Sequence, residues 1–198
     1  MIKEHIEKAI GAKESELMKT NSEFGFEIYH YSNDNLSYQI LYTVGLSKNV
    51  QDVDSSNEGF EKIELYFALP PFWNIKNHNW PVNWLERIAC IPQKNSTWFG
   101  HGDTIPAGNP PEYLHEAFLG NHFMICKPDH LQDTFSGEEW MKSGFEMMAV
   151  MVLFQLEVDF KLRNSHTVLI KKLRKKSVTE VFDPYRVSTC RKRILGMV

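Results

Sequence analysis

The stretch WPVNWLERIACIPQKNSTWFGHGDTIP, residues 80–106, joins a helical pattern to a glycine-rich loop. Pro81 stands where a first helical turn tolerates a missing N–H group. We expect a short helix over 81–91 that ends before Pro92, because proline inside a helix removes a backbone hydrogen bond. Apolar residues recur at helical spacing in this segment: Val82, Leu85, Ile88 and Ala89.

Six segments carry strand patterns of aromatic and β-branched residues. The first two flank the turn signal NDN (33–35), so they predict a hairpin. In the fifth, methionine and glutamate leave a helix as the competing interpretation. The predicted strands are 24–32, 36–47, 60–70, 122–128, 145–156 and 178–186.

Helical patterns occupy the N-terminal segment and a segment before the last predicted strand. Residues 1–19 place isoleucines at helical spacing among charges, with Gly11 as a candidate break. Residues 156–176 predict a helical segment divided around Asn164, where SHT (165–167) can cap a second helix. Segment 113–119 is predicted to be a short helix or a turn.

The order of these elements favours an α+β fold, a mixed β-sheet of about six strands flanked by helices. The length of 198 residues suits one domain with a sizeable core. We therefore expect a single domain over 1–198, with an N-terminal helix within 1–20 and the core over 21–190.

The composition is typical of a soluble globular protein, with 42% hydrophobic and 24% charged residues and a net charge of −3. Nucleic acid is not an expected partner, since its binding usually needs a basic excess. The N-terminus lacks the apolar core of a signal peptide, and the apolar run 147–156 is too short to span a bilayer. We expect a cytoplasmic protein that does not bind membranes.

The three cysteines are odd in number, far apart and form no C-x-x-C pair. Neither a zinc knuckle nor a disulfide framework is therefore indicated. Cys90 and Cys126 lie in apolar runs and are interpreted as buried, protonated thiols. No serine stands in a nucleophile-elbow motif.

The loop WFGHGDTIPAG (98–108) carries the residues that most resemble an active site, His101 and Asp103. An imidazole and a carboxylate two residues apart can ligate a metal or act as a base and its orienting group. A mononuclear zinc site usually needs three protein ligands, however, and the other histidines are scattered along the chain. A metal-dependent hydrolase is therefore the less favoured hypothesis.

Two other interpretations of this loop stay open. In the first, Asp103 or Thr104 bonds local backbone N–H groups in a turn whose glycines supply positive φ angles. In the second, the loop forms part of the rim of a partner-binding surface.

Four of the tryptophans fall between residues 73 and 98. Trp80 and Trp84 are four apart, so they can lie on one side of the start of the predicted helix. They either pack the edge of the core, with their indole N–H groups bonded, or form an exposed aromatic contact surface.

The charges are unevenly distributed. The runs KKLRKK (171–176) and RKR (191–193) make the C-terminal part basic, and the loop 51–61 is acidic. Each is interpreted as a solvated surface or as a region that attracts a partner of opposite charge.

Six blocks in the right order give the chain a family resemblance from about Tyr29 to Arg186. They are YTVGLS (42–47), ELYFALP (64–70), the run 80–106, FMICKP (123–128), MVLFQLEVDF (151–160) and VFDPYR (181–186). Together they resemble the Suppressor-of-fused domain family, in particular its short bacterial members. The most specific block is the run 80–106.

The resemblance implies an α/β-type domain that binds another protein without catalysis or a cofactor. Animal members sequester a transcription factor of the Hedgehog pathway, and bacterial members are considered immunity proteins that bind a toxin. Because the pattern covers only the first lobe of the animal proteins, a Hedgehog-type partner is not expected. A cognate toxin is the expected partner, and a general peptide or protein interaction module without a toxin is the alternative.

The resemblance and the residue patterns together nominate two sets of positions. Glu157 matches an acidic position of the family and is expected to cap a helix N-terminus. The candidate partner-contact residues are Trp80, Trp84, Trp98, His101, Asp103 and Asn109. The expected fold-defining residues are Gly45, Pro81, Gly100, Gly102, Thr104, Pro106, Glu157, Asp183 and Arg186.

Overall fold

The computed structural model describes residues 1–55, 58–115 and 118–190. A seven-stranded mixed sheet runs through the molecule in the order β1-β2-β3-β4-β7-β6-β5 and carries helices on both faces. This confirms the expected α+β class with a mixed, helix-flanked sheet. The strands are β1 (Glu16–Asn21), β2 (Phe26–Tyr31), β3 (Gln39–Val44), β4 (Ile63–Leu69), β5 (Thr104–Pro106), β6 (His122–Cys126) and β7 (Glu146–Leu153).

The sheet separates two buried cores. Alternate residues of β4 enter opposite cores, with Phe67 on one face and Tyr66 on the other, so this central strand is buried along its whole length. Helix α2 covers the first face, whereas α1, α4 and α5 cover the second. The helices are α1 (Ile2–Ile10), α2 (Trp80–Asn95), α3 (Glu138–Met141), α4 (Gln155–Arg163) and α5 (His166–Arg174).

Several predicted elements are confirmed. Strands β2 and β3 form the expected antiparallel hairpin. Segment 145–156 forms the predicted strand, β7, over Glu146–Leu153, and its last two residues already belong to α4. The C-terminal helical segment is divided as expected, because Ser165 caps α5 by accepting a hydrogen bond from the Val168 N–H at 3.3 Å.

The predicted helix over 1–19, and the N-terminal helix assigned to 1–20, are wrong beyond Ile10. Gly11 ends the helix in the left-handed conformation, with φ 68°. Residues 16–21 then form the edge strand β1, paired antiparallel with β2. Its partner β2 follows after a four-residue turn, 22–25, and this pairing overrides the helical spacing of the apolar residues.

The predicted end of α2 before Pro92 is also wrong. The helix runs through Pro92 to Asn95, and Ser96 ends it in the left-handed conformation. Proline removes one helical hydrogen bond near the last turn, but its ring is buried, so packing offsets that loss. The expected start is correct, since Pro81 occupies the first turn.

The segment 178–186 is not a strand. A single parallel bridge joins Val181 to Ala68, and the Phe182 N–H donates to the Ala68 carbonyl at 2.9 Å. Pro184 has no N–H with which to continue the ladder. An unpredicted strand, β5, lies instead within the loop 98–108.

Segment 113–119 forms no helix in its described residues, where His115 and Phe118 make an isolated antiparallel bridge. Residues 116 and 117 lie outside the described part, as do residues 56 and 57 of the acidic loop and the basic run 191–193. No helix in the described part of the chain is both long and apolar enough to cross a bilayer.

The sheet has two ends that position the candidate residues. Because β4 and β7 are parallel, Leu69 and Leu153 lie at one end, which we call the carboxyl end. Strand β6 runs antiparallel to β7, so Cys126 points toward the opposite, amino end. The loop 98–103 therefore lies at the amino end, and the residues after Pro106 lie at the carboxyl end.

Candidate protein-interaction site

The loop around His101 is a tight turn anchored to strand β6. The Gly100 N–H donates to Asp103 Oδ2 at 2.8 Å, which is the local backbone bond expected for Asp103. The Gly102 N–H donates to the Ile125 carbonyl at 2.7 Å, and the Ile125 N–H donates to the Asp103 carbonyl at 2.8 Å. Gly102 has a φ of 101°, a backbone conformation that favours glycine.

The His101 ring takes part in this anchoring through one nitrogen. Its Nδ1 accepts a hydrogen bond from the backbone N–H of Lys127 at 3.0 Å. A neutral imidazole that accepts at Nδ1 carries its proton on Nε2. The His101 and His166 rings meet edge to face, with centroids 5.1 Å apart.

The surroundings favour the neutral form of His101. Burial lowers its pKa below the usual range, and the nearby His166, Lys127 and Arg174 lower it further. The ring is therefore predominantly uncharged near pH 7 and presents Nε2–H as a donor. No residue in the described part of the chain accepts from that group.

The geometry does not support catalysis by His101 and Asp103. Asp103 bonds the Gly100 N–H, and His101 Nδ1 is occupied by a backbone donor, so the carboxylate does not orient the imidazole. Among the described residues, no group of three or more histidines, cysteines and acidic residues is arranged to hold a metal ion. Burial raises the pKa of the thiols of Cys90, Cys126 and Cys190.

A groove of about 340 Å³ opens beside this loop, between strand β6, helix α5 and the loop after β6. We call it the histidine groove. Its rim carries polar and charged side chains, including His101, Lys127, Asp129, Glu146 and Arg174. Its wall is apolar and includes Cys126, Phe135, Met151, Ile170, Leu173 and Val178.

The candidate tryptophans pack the edge of the core more than they face solvent. The Trp84 ring lies 5.0 Å from Phe123, and the Trp80 ring lies 5.6 Å from Phe67. The expectation that each indole N–H is bonded is wrong for Trp80, whose buried Nε1 has no partner among the described residues. The crowding of aromatic rings around Trp80 explains this, because they offer no strong acceptor.

The structure does not bring all partner-contact candidates together. The half-exposed Trp98 lies near His101 and Asp103 at the amino end of the sheet. The exposed Asn109 follows β5 at the carboxyl end, where α2 begins with Trp80. The candidates therefore fall on two separate ends of the domain.

Among the expected fold-defining residues, Glu157 and Arg186 form one buried unit. Glu157 caps α4 as expected, since its Oε2 accepts from the Phe154 N–H at 3.1 Å. Arg186 binds both carboxylate oxygens of Glu157, at 2.8 and 3.0 Å, and also donates to the Val152 carbonyl. Asp183 shapes the turn that precedes Arg186 by accepting a hydrogen bond from the Tyr185 N–H at 2.9 Å.

Three other expected fold-defining residues contact segments that are distant in the chain. Gly45 has a φ of 100° and donates its N–H to Glu64 at 2.9 Å. Thr104 Oγ1 accepts from Lys161 Nζ at 3.2 Å, and Pro106 pairs with His122 at the end of β5.

Two buried carboxylates were not identified as important from the sequence. Glu180 accepts from Tyr66 and from three consecutive backbone N–H groups, 129–131. Glu64 accepts five hydrogen bonds around the 3₁₀ turn Leu46–Lys48. Its donors are Thr43 Oγ1, the N–H groups of Gly45, Leu46 and Ser47, and Ser47 Oγ.

Sequence reasoning also missed a larger groove, of about 680 Å³, at the carboxyl end of the sheet. It lies between Phe72 and the segment 181–189, and we call it the aromatic groove. Three large apolar side chains on it are exposed: Phe72 by 62%, Tyr185 by 80% and Val187 by 79%. Aromatic residues beside prolines, in PPFW and DPYR, were the available signal for this surface.

Solved structures of other proteins are similar in fold to this chain. A structure of a putative suppressor of fused homolog from Neisseria gonorrhoeae aligns with a TM-score of 0.69 at 17% identity, covering 96% of both chains. A structure of the Sufu–Fu complex aligns with a TM-score of 0.65 at 14% identity, covering 94% of this chain and 89% of that one.

The Suppressor of Fused of Drosophila aligns with a TM-score of 0.63 at 15% identity. The match covers 94% of this chain but only 50% of the Drosophila chain. At these identities the likeness shows a shared fold. No curated protein sequence is significantly similar to this chain.

The family comparison extends over most of the chain. The sequence pattern of the Suppressor of fused protein (SUFU) family matches residues 21–187. That range contains every strand from β2 to β7, the anchored turn and the Glu157–Arg186 pair. The chain therefore belongs to the Suppressor of fused family.

Proposed function

We propose that this chain is a non-enzymatic protein-binding domain that neutralises a bacterial toxin as its immunity protein. The observation that carries the proposal is the family match over residues 21–187. One structure with the same fold is that of a complex between Sufu and Fu, which supports a binding role for the fold. The mechanism is steric, since a preformed surface covers the active site of the toxin.

The aromatic groove supports this proposal physically. Exposed aromatic and apolar side chains around a concave surface are the typical anchors of protein interfaces. The Phe72 and Tyr185 rings lie 6.0 Å apart, so they form one continuous apolar surface. The buried Glu157–Arg186 pair holds the backbone next to Tyr185, which reduces the entropy lost on binding.

We further propose that the loop at the amino end contributes a second contact. His101, Asp103 and Trp98 lie on a turn that is held by backbone hydrogen bonds to β6. Loops on a rigid scaffold commonly carry binding residues. In this proposal Trp80 and Trp84 support the fold, and Asn109 flanks the carboxyl-end surface.

The test is co-expression with the toxin encoded by the neighbouring gene, followed by a pull-down and a growth-rescue assay. We expect co-purification and restored growth. Binding without rescue would favour a general interaction module, and the absence of both would contradict the proposal. Stoichiometric zinc or manganese in the purified protein, lost in His101→Ala, would instead favour the hydrolase hypothesis.

Matched surface variants locate the contact. Tyr185→Ser removes an exposed anchor of the aromatic groove, and Leu162→Ser removes a similarly exposed apolar side chain, 74% accessible, from α4. We expect Tyr185→Ser to weaken toxin binding by about tenfold or more, a typical loss for an interface anchor, with no change for Leu162→Ser. Equal effects of both variants would argue against the aromatic groove.

A further inference from the structure

A smaller cavity of about 300 Å³ adjoins the aromatic groove at the carboxyl end of the sheet, and we call it the Trp73 pocket. Seven of its nine described lining residues carry aromatic rings, and none of the nine is a lysine, arginine, aspartate or glutamate. Its volume is at the small end of the range for ligand pockets, so it suits one small group. The aromatic walls include Phe72, Trp73, His78, Phe118, Phe182 and Tyr185.

The rings enclose the pocket from more than one direction. Trp73 and Phe182 are nearly perpendicular, at 80°, with ring centroids 5.4 Å apart. Phe118 is turned by 86° against Phe182, so neighbouring rings form walls of different orientation. The indole of Trp73 is held in place because its N–H donates to the His78 carbonyl at 3.1 Å. A set of fixed aromatic walls of this kind is typical of the cages that bind cations.

The electron-rich faces of these rings have no cation from the protein itself. Elsewhere in the chain, cations do lie over aromatic rings, as Lys3 does over Tyr29, with 4.3 Å between Nζ and the ring centre. Within the described part of the chain, none of these contacts uses Trp73, Phe182 or Tyr185. A cation that enters the pocket from solution therefore competes with no internal one.

The hydrogen-bonding groups of the pocket determine which cation it suits. Asn74 Oδ1 already accepts from two backbone N–H groups, at 3.1 Å each, and the His78 carbonyl accepts from Trp73. A primary ammonium group is strongly hydrated, and no described carboxylate in the lining replaces its bonds to water. A quaternary ammonium group carries its charge without any N–H donor, so it needs only the ring faces.

We infer that the Trp73 pocket binds a trimethylammonium group, either of free choline or of a phosphocholine head group. Its charge is stabilised by the ring faces, above all that of Trp73, since indole is the most effective of the aromatic side chains in this role. Its methyl groups fill the apolar space between the walls. This inference goes beyond the proposed neutralisation of a toxin and does not depend on it.

The direct test compares choline with its neutral carbon analogue, in which a carbon atom replaces the quaternary nitrogen. Isotope-labelled full-length protein is titrated with each at about pH 8, where histidine side chains are generally neutral and do not repel a cation. The NMR signal of the Trp73 indole N–H reports binding. We expect saturable shifts with choline, in the millimolar range for so small a ligand, and about tenfold weaker binding of the analogue. Equal binding of the two, or no shift with choline, would overturn the inference.

Two further ligands define the chemistry of the cation. Ethanolamine offers a primary ammonium group, and we expect it to bind about tenfold more weakly than choline, because it loses its hydration without gaining acceptors. Ethanolamine binding as tight as that of choline would overturn the assignment of a quaternary group. Phosphocholine distinguishes the two sources: tighter binding than choline assigns the pocket to the head group, and weaker binding assigns it to free choline.

Variants of the exposed walls test the location of the site. Phe72→Leu and Tyr185→Leu keep an apolar side chain but remove a ring, and Tyr113→Leu is the control, since Tyr113 is as exposed as Phe72, at 62%, and does not line the pocket. We expect each wall variant to weaken choline binding by several-fold, with little effect on the neutral analogue, and the control to change neither. Thermal unfolding verifies that all three variants fold. Unchanged choline binding in both wall variants would contradict the assignment.

Failure of this inference and failure of the proposed function have different signatures. If a toxin binds the chain and choline does not, the Trp73 pocket loses its assignment and the proposed function remains. If choline binds as described and the toxin does not, the proposed function fails and the pocket keeps its assignment.

Discussion

Both the local backbone conformation and the tertiary packing require a glycine at position 102. Its φ of 101° is unfavourable for any residue with a side chain. A Cβ at this position would also overlap the His166 ring, at the first turn of α5. The glycine therefore allows the loop 98–103 to lie against α5, which brings His101 to the histidine groove.

We predict that Gly102→Ala lowers the free energy of unfolding by about 2–4 kcal/mol, from backbone strain and overpacking together. Gly59→Ala is the matched control, because Gly59 has a φ of 97° and no atom lies within 4 Å of the position that a Cβ would take there. The control should lose only the strain contribution, about 1–2 kcal/mol. Thermal and urea unfolding measure both variants, and equal losses would show that the His166 contact is unimportant.

The segment 181–189 is an element without regular structure that is held by one buried ion pair. The side chain of Glu157 is fully buried and that of Arg186 is 8% exposed. Thr189 adds backbone and hydroxyl donors to the same carboxylate, at 2.9 and 3.1 Å. These bonds hold Arg186 and Thr189 in place, within the segment that presents Tyr185 and Val187 beside the aromatic groove.

We predict that Arg186→Met destabilises the protein by about 3–5 kcal/mol, because it leaves the Glu157 carboxylate buried without a counter-charge. The double variant Arg186→Met/Glu157→Gln should recover part of the loss, since no charge is then buried. Arg174→Met, which breaks the more exposed pair with Asp129, should cost no more than about 1 kcal/mol. Chemical unfolding provides the measurement, and similar losses in the two arginine variants would contradict this account.

At the scale of the whole molecule, histidines make stability depend on pH. Burial lowers the pKa of His30, His101 and His122, so the folded protein binds fewer protons than the unfolded chain below about pH 6.5. Stability contributed by the neutral rings is therefore present above the unfolded pKa and is lost as the pH falls toward the folded pKa. Glu64, whose pKa burial raises, acts in the opposite sense, so single variants are needed to separate the contributions.

We predict that the wild type loses more stability than His101→Asn when the pH falls from about 7.5 to about 5.5. A difference of one full bound proton would give a slope of about 1.4 kcal/mol per pH unit. The difference between the two measured slopes should stay well below that value, because His101 is only partly buried and solvent screens its neighbours. Urea unfolding at several pH values measures both slopes. Identical slopes would mean that His101 titrates alike in the folded and unfolded chains.

Most of the elements that depend on local interactions were predicted correctly, whereas pairings between distant segments were not. The hairpin of β2 and β3, the start of α2 at Pro81 and the cap at Ser165 depend on residues close in the chain, and each was predicted. The bridge at Val181 depends on Ala68, which is far away in the chain, and this pairing was predicted incorrectly. Strand β1 was also missed, although its partner β2 follows after a four-residue turn, because the helical pattern of residues 1–10 was extended past Gly11. Apolar spacing alone does not distinguish an edge strand from a helix when the pairing partner is unknown.

The candidate site shows the same division. The Asp103 turn and the Glu157 cap are bonds over three residues, and the sequence was sufficient to propose both. The pairing of Glu157 with Arg186 spans 29 residues, and the contact of His101 with Lys127 spans 26. Arg186 lines the aromatic groove, and His101 and Lys127 line the histidine groove, so neither groove was visible in the sequence.

By itself, the sequence determined the α+β class, the family and the residues that shape individual turns. The class and the turns follow from residue order, periodicity and the conformational limits of proline and glycine, which act over a few positions, whereas the family follows from the resemblance of six sequence blocks. Only the tertiary structure decided which charges are buried together, where the exposed aromatic side chains converge and which nitrogen of His101 is left to donate. Those properties depend on desolvation and on contacts between distant segments, and both arise only when the sheet and its helices pack.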